Sequence, residues 1–286
     1  MDEALGSGVG LVVRPSSDVA ERIALEVIQR VKEAGWEPLI EVESAEAYPR
    51  SLGGLRTFSL DRNPPGKVIV IGGDGTLLRT AIKAGDNDLV FMAVRAGKRG
   101  FLLDVDEMEL SKRIPEFLRG EFEIVEHQRI RAEVEGATTP CALNDIVVFT
   151  AEGQMVRLNV MTRGERVMGL DGDGLVISTT TGSTAYSLNA GGPIIDPRLD
   201  VIVLTPLNPV QLYLRPVVMS RSEQLTISLK EDSSAAYLVI DGQIKYPLRP
   251  GASVSVGPCP RPLRVARFNW WANYYERLFA RLLSYW

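Results

Sequence analysis

Histidine is nearly absent from this chain of 286 residues: His127 is the only one. No Ser or Cys stands beside it in the sequence, so a histidine-driven nucleophile relay has little to be built from. His127 reads as a residue that caps or pairs at the surface. Cysteine is scarce too. Cys141 and Cys259 are too few for a disulfide scaffold and lack metal-ligand spacing, so both are expected to be small buried apolar residues. A basic surplus is missing, with 32 Lys and Arg against 36 Asp and Glu and a net charge of −4, which argues against a general nucleic-acid binder. No uninterrupted apolar run approaches the roughly 18 residues of a membrane span. The opening MDEALGSG has neither the basic region nor the apolar run of a signal peptide, so a cytoplasmic location is expected. Internal repeats and low-complexity tracts are absent as well.

What is present suits a globular protein of two domains, at 45% hydrophobic and 24% charged residues. The first third alternates strand and helix patterns. VGLVV (9–13), EPLIEV (37–42), KVIVI (67–71) and LVFMAV (89–94) read as strands. Val19, Ile23, Val27 and Val31 mark one helix face, opened by a capping box of Asp18 and Glu21. Further helices are expected over 76–84 and 107–120, the second containing Pro115, and the polar stretch 43–66 reads as a long loop. Beyond Gly120, short alternating runs between turn residues predict a mostly antiparallel β domain, interrupted by one helix near 183–189. The expected fold is therefore α/β plus β. A doubly wound N-terminal α/β domain covers 1–120 and is joined by 265–286, whose aromatic helix packs back on it or on a partner subunit. A β-rich domain covers 121–264.

Two motifs carry chemistry. VIVI runs straight into Gly72-Gly73-Asp74-Gly75-Thr76 and then a helix. Ligands of open α/β sheets collect beyond the carboxyl ends of the strands. Glycines there let backbone amides and a helix start approach phosphate. No Gly-Lys-Ser/Thr follows, so this is not a Walker A loop, and it is not a GxGxxG dinucleotide fingerprint. Asp74 would repel phosphate unless it served another purpose. It can take the proton of a hydroxyl that attacks phosphorus, or help to hold Mg²⁺ near the phosphates. Arg79 offsets phosphate charge or is an ordinary solvated helix residue. The second motif is DGDGLVISTTTGSTAYSLNAGGPI (171–194). Six of the seven residues from Ser178 to Thr184 bear hydroxyls, more than helix capping accounts for. They suit hydrogen bonds to ribose, amide or phosphate groups, and Asp173 suits a sugar hydroxyl or a carboxamide NH₂.

Taken together, GGDGT, LND (143–145), DGLVISTTTGSTAYSLNAGGPI and IDGQ (240–243) resemble the NAD kinase family. That family shares its glycine-aspartate motif with 6-phosphofructokinases and with diacylglycerol and sphingosine kinases. The resemblance runs from about Val68 to Gln243. It implies ATP-dependent phosphorylation of the 2′-hydroxyl on the adenosine ribose of NAD, giving NADP. It implies Mg²⁺ held mainly by the phosphates, with no fixed protein ligands, and a dimer or tetramer. Asp74 matches the catalytic aspartate, and Gly72, Gly73, Gly75 and Thr76 match the phosphate loop. Asn144 and Asp145 match a pair that holds a ribose, and Asp173 matches an acidic residue on the nicotinamide side. Thr181, Thr184, Ala185, Tyr186, Ser187 and Asn189 match the segment lining the base pockets. Asn208 and Gln243 fall where the family makes further contacts. Departures from the pattern are Arg95-Ala96-Gly97-Lys98-Arg99 before Gly100-Phe101-Leu102, Asp171 in place of a basic residue, and Pro209-Val210 in place of Pro-His. Arg95, Lys98 and Arg99 are candidates for a different phosphate contact. A lipid or sugar kinase of the same superfamily, or a non-catalytic NAD(P)-binding sensor, are the alternatives.

Overall fold

The computed structural model describes residues 8–97, 100–272 and 274–283. The chain is a mixed α/β protein that forms two compact units, Met1–Glu126 with Leu263–Trp286, and His127–Pro262.

The first unit runs β1 (Gly8–Val13), α1 (Asp18–Glu33), β2 (Glu37–Glu41), α2 (Val42–Ala47), β3 (Thr57–Phe58), β4 (Lys67–Gly72), α3 (Asp74–Ala84), β5 (Val90–Arg95), α4 (Leu110–Arg119) and β6 (Glu123–His127). The second contributes β7 (Ile130–Val134), β8 (Ala137–Thr138), β9 (Asp145–Thr150), β10 (Val156–Thr162), β11 (Glu165–Gly172), β12 (Gly174–Thr179), α5 (Tyr186–Asn189), β13 (Val201–Leu207), β14 (Val217–Ser220), β15 (Leu225–Leu229), β16 (Ala236–Ile240), β17 (Ile244–Leu248) and β18 (Ser253–Pro258). The chain then returns to the first unit with β19 (Leu263–Arg267) and α6 (Tyr274–Leu283).

In the first unit seven strands form one sheet in the order β3-β2-β1-β4-β5-β19-β6. The pairs from β3 through β19 are parallel. Val68, Ile69, Val70 and Ile71 are all fully buried, as expected of a parallel strand covered on both faces. Val9, Leu11, Ile69, Ile71, Met92 and Val94 share one cluster with Ile23 and Val27 of α1 and Ile114 and Phe117 of α4.

Several local expectations need correction. The cap of α1 is Ser17, one residue before Asp18: its Oγ accepts from Ala20 N at 3.3 Å. Glu21 accepts from Ser51 Oγ instead. The buried face is Ala20, Ile23, Ala24, Val27, Ile28 and Val31, which keeps Ile23, Val27 and Val31 of the expected stripe and leaves Val19 exposed. The stretch 43–66 is not a loop throughout. It contains α2 and β3, and Tyr48, Leu52, Phe58 and Leu60 are buried at irregular spacings that no single period reveals. The helix expected at 183–189 is broken at Ala185 into a 3₁₀ turn and the four residues of α5.

The second unit is built from two six-stranded sheets, β11-β10-β15-β18-β7-β8 and β14-β13-β12-β9-β16-β17. Inward residues of both, including Leu158, Leu170 and Ile227 from the first and Ile146, Ile177 and Leu238 from the second, meet in one cluster. This is the packing of an antiparallel sandwich. Cys141 and Cys259 are not separate thiols: they form a disulfide across 118 residues. Ala142 pairs with Ile130, and Cys259 N donates to the Arg129 carbonyl at 3.0 Å, so two remote segments flank 129–130 and bring the sulfurs together.

Candidate functional site

In the first unit, the GGDGT segment forms the tight turn from β4 into α3. Thr76 folds back on it: Thr76 Oγ1 accepts from Gly73 N at 3.3 Å, and Thr76 N donates to the Gly73 carbonyl at 2.9 Å. A Cβ on Gly72 would stand 2.3 Å from Thr76 Oγ1, so this return is open only to glycine there. Asp74 is the first residue of α3, where the amide dipoles favour a negative charge. Its carboxylate accepts from Phe101 N at 2.8 Å and Leu102 N at 2.9 Å. Gly72, Gly73, Asp74, Gly75 and Thr76 thus come together, with Gly75 exposed and Asp74 half-buried. Arg79 is exposed one turn on and lines a cavity with Thr76, Thr80, Lys83, Glu41 and Ser44. Arg95 is ion-paired with Asp106, and its Nε donates to Asp106 Oδ1 at 2.7 Å. Lys98 and Arg99 lie outside the described residues.

In the second unit, Asn144, Asp145, Ala185 and Tyr186 line one cavity, together with Phe149, Asp241 and Lys245. Burial, helped by the nearby Asp241 charge, pushes the Asp145 carboxyl up to about 7. Burial also raises the Tyr186 phenol, with Asp145 and then Asp173 adding to the effect. Asp241 receives three successive amides, Leu143 N at 2.7 Å, Asn144 N at 2.7 Å and Asp145 N at 3.0 Å. Burial raises its pKa, while those amides and the Arg129 charge pull the other way.

The hydroxyl-rich segment is used largely for its own construction. Thr179 Oγ1 donates to the Leu143 carbonyl at 2.6 Å and accepts from Gly182 N at 3.1 Å. Ser183 Oγ donates to the Thr180 carbonyl, and Thr184 Oγ1 to the Thr181 carbonyl. Ser187, predicted to meet the ligand, is fully buried with its Oγ 2.8 Å from Thr205 Oγ1. Thr181 Oγ1 lies 3.0 Å from His127 Nδ1, and His127 is buried rather than at the surface. The turn packs hard on the LND segment: a Cβ on Gly182 would meet the Asn144 carbonyl oxygen at 2.0 Å. Asp173 accepts from Asn208 Nδ2 at 2.6 Å. Asn189 and Gln243 are exposed, and Asp171 N donates to Gln211 Oε1. The Asp241 and Lys245 positions escaped sequence reading. An Asp-Gly pair between two alternating runs signals a hairpin, but nothing local shows where its carboxylate points.

Residues 143–268 match the family described as ATP-NAD kinase C-terminal domain. The NAD kinase of Aeropyrum pernix is 48% identical over 99% of this chain and 100% of its own length. That of Methanopyrus kandleri is 34% identical over 97% and 98% respectively. Two solved structures share the fold. Yeast NADH kinase complexed with NADH superposes with a TM-score of 0.85 at 23% identity, covering 96% of this chain and 87% of that one. An NAD kinase from Archaeoglobus fulgidus in complex with ATP superposes with a TM-score of 0.76 at 20% identity, covering 97% and 99%.

Proposed function

Because this chain belongs to the NAD kinase family and phosphorylates NAD with ATP as donor, we propose that Asp74 is the base that takes the proton of the adenosine ribose 2′-hydroxyl. The freed oxygen attacks the γ-phosphorus of ATP, the bond to the β-phosphate oxygen breaks, and NADP and ADP leave. The observation that carries this assignment is the setting of Asp74, a half-exposed carboxylate at the first position of α3, held by two amides. Each carboxylate oxygen has a second lone pair, so a ribose hydroxyl is received while the Phe101 and Leu102 amides stay in place. The amides of the Gly72–Thr76 turn take the donor phosphates. Asn144 and Asp145 hold a ribose, Tyr186 and Ala185 line the same cavity, and Asp173 serves the nicotinamide side.

Among the described residues, no three His, Cys, Asp or Glu side chains gather as a ligand set. In this reading Mg²⁺ is held mainly by the phosphates, whose charge it offsets when bound. The reading includes assembly as a dimer or tetramer, and Val210, Leu212 and Tyr213 form an exposed apolar loop of the kind a second copy covers. It also includes a cytoplasmic location, a demanding one for Cys141–Cys259, since persistent intracellular disulfides are chiefly a feature of hyperthermophiles.

Mixing the purified protein with NAD, ATP and Mg²⁺ should yield NADP. Asp74→Ala should lower turnover by about 10²- to 10⁴-fold without lowering the thermal midpoint by more than a few degrees. Retained turnover in this variant would overturn the role of Asp74.

A further inference from the structure

We propose that Asp241 is a positioning residue for the nucleotide: its carboxylate fixes the backbone that carries Asn144 and Asp145, and so sets where their side chains stand. This rests on the reading that Asn144 and Asp145 hold a ribose.

Asp241 and Gly242 are the two central residues of the hairpin joining β16 to β17. Both have positive φ, 47° and 65°, and Gln243 N closes on the Ile240 carbonyl at 2.8 Å. Such a turn accepts Asn, Asp or Gly alike, so the turn itself has no need of a carboxylate. The carboxylate is spent elsewhere. Oδ2 takes the Leu143 amide and Oδ1 takes the Asn144 and Asp145 amides. The Asp241 amide in turn donates to the Asp145 carbonyl at 3.0 Å. Three consecutive amides converging on one buried carboxylate make a concave cradle, with two of the three bonds as short as 2.7 Å. Asp241 is 7% exposed, and the 2% exposed Arg129 stabilises its charge. The segment so held begins β9 and carries the two side chains that enter the cavity.

The carboxylate also acts through space. Asp145 is faced by Asp241, Tyr186 and Lys245 in the cavity, with Arg129 beyond Asp241 and Asp173 beyond Tyr186. Removing the Asp241 charge therefore eases ionisation of Asp145. A residue that merely supported the fold would move neither nucleotide affinity nor its pH dependence.

The test uses the full-length protein. Asp241→Asn keeps the left-handed turn and the side-chain size but loses the anion. The KM for NAD should rise tenfold or more, the KM for ATP should stay within twofold, and kcat should fall less than threefold. The pH midpoint of the KM for NAD, near 7 in the unaltered protein, should move lower. Asp241→Glu, with its charge retained but displaced, should raise the KM for NAD without that shift. A KM for NAD within twofold of the parent in Asp241→Asn would overturn the proposal. If neither variant folds, amide exchange in the unaltered protein decides. Leu143, Asn144 and Asp145 should be protected as well as the strand amides of β9, and exchange at loop rates would sink the idea. Asn144→Ala and Asp145→Asn test the premise separately. If they leave the KM for NAD unchanged, the ribose reading fails; if they raise it while Asp241→Asn does not, only the positioning role fails.

Discussion

The β4–α3 turn, with three glycines and one threonine, and the Thr179–Asn189 segment, with one glycine and six serines or threonines, use their small residues in opposite ways. In the first, Gly73 and Gly75 have open space where a side chain would begin. In the second, Gly182 is pressed against the Asn144 carbonyl, and the hydroxyls of Thr179, Ser183, Thr184 and Ser187 bond within the protein. The first turn keeps room beside its backbone at two of its three glycines. The other is made mainly to hold its neighbour LND still, and only a few of its side chains reach the cavity.

The contrast can be broken most forcefully at Gly182. Gly182→Ala drives a methyl into backbone that cannot yield, and overpacking of this kind costs on the order of 3 kcal/mol. Calorimetry should show a fall of roughly 10 °C in the midpoint; an unchanged midpoint would mean the turn is looser than described. Next in size is a pH effect at Asp145. Its carboxyl titrates near 4 in the unfolded chain and at about 7 in the folded one, so the native state holds the proton more tightly. Stability should therefore be greatest below the unfolded value, decline as pH rises through about 7, and level off above that. Asp145→Asn should flatten this part of the profile, and thermal melts from pH 4 to 8 would check it. The smallest effect is expected at Gly75. Gly75→Ala places its methyl in open space within α3 and should leave the stability unchanged or raise it by up to about 1 kcal/mol. The KM for ATP should nonetheless rise severalfold, because the added methyl crowds the phosphates; an unaltered KM would separate Gly75 from the phosphate loop.

Strongly periodic elements were legible in the sequence. The run VIVI before GGDGT marks a strand leaving the core, and β4 and α3 lie where that spacing puts them, with α3 starting at Asp74 rather than Thr76. Regions without a clean period were not legible. Tyr48, Leu52, Phe58 and Leu60 are buried by a winding stretch whose polar residues dominate its composition. Strand β11, ERVMGLDG, has too few apolar residues to show alternation and owes its place to pairing with β10. The hydroxyl run misled for a related reason: composition shows that donors are present, not which partner they meet. Asp241 and the disulfide fall in the same class, since their contacts span 96 to 98 and 118 residues.

The place of β19 bears on how the chain comes to be folded as it is made. This strand follows the whole of the second unit in the chain, yet it sits between β5 and β6. Until it emerges, β6 has no neighbour, and residues 127–262 must be synthesised in the meantime. The first unit is therefore finished only after the second has been made, and a truncation before Leu263 would leave β6 with no strand beside it.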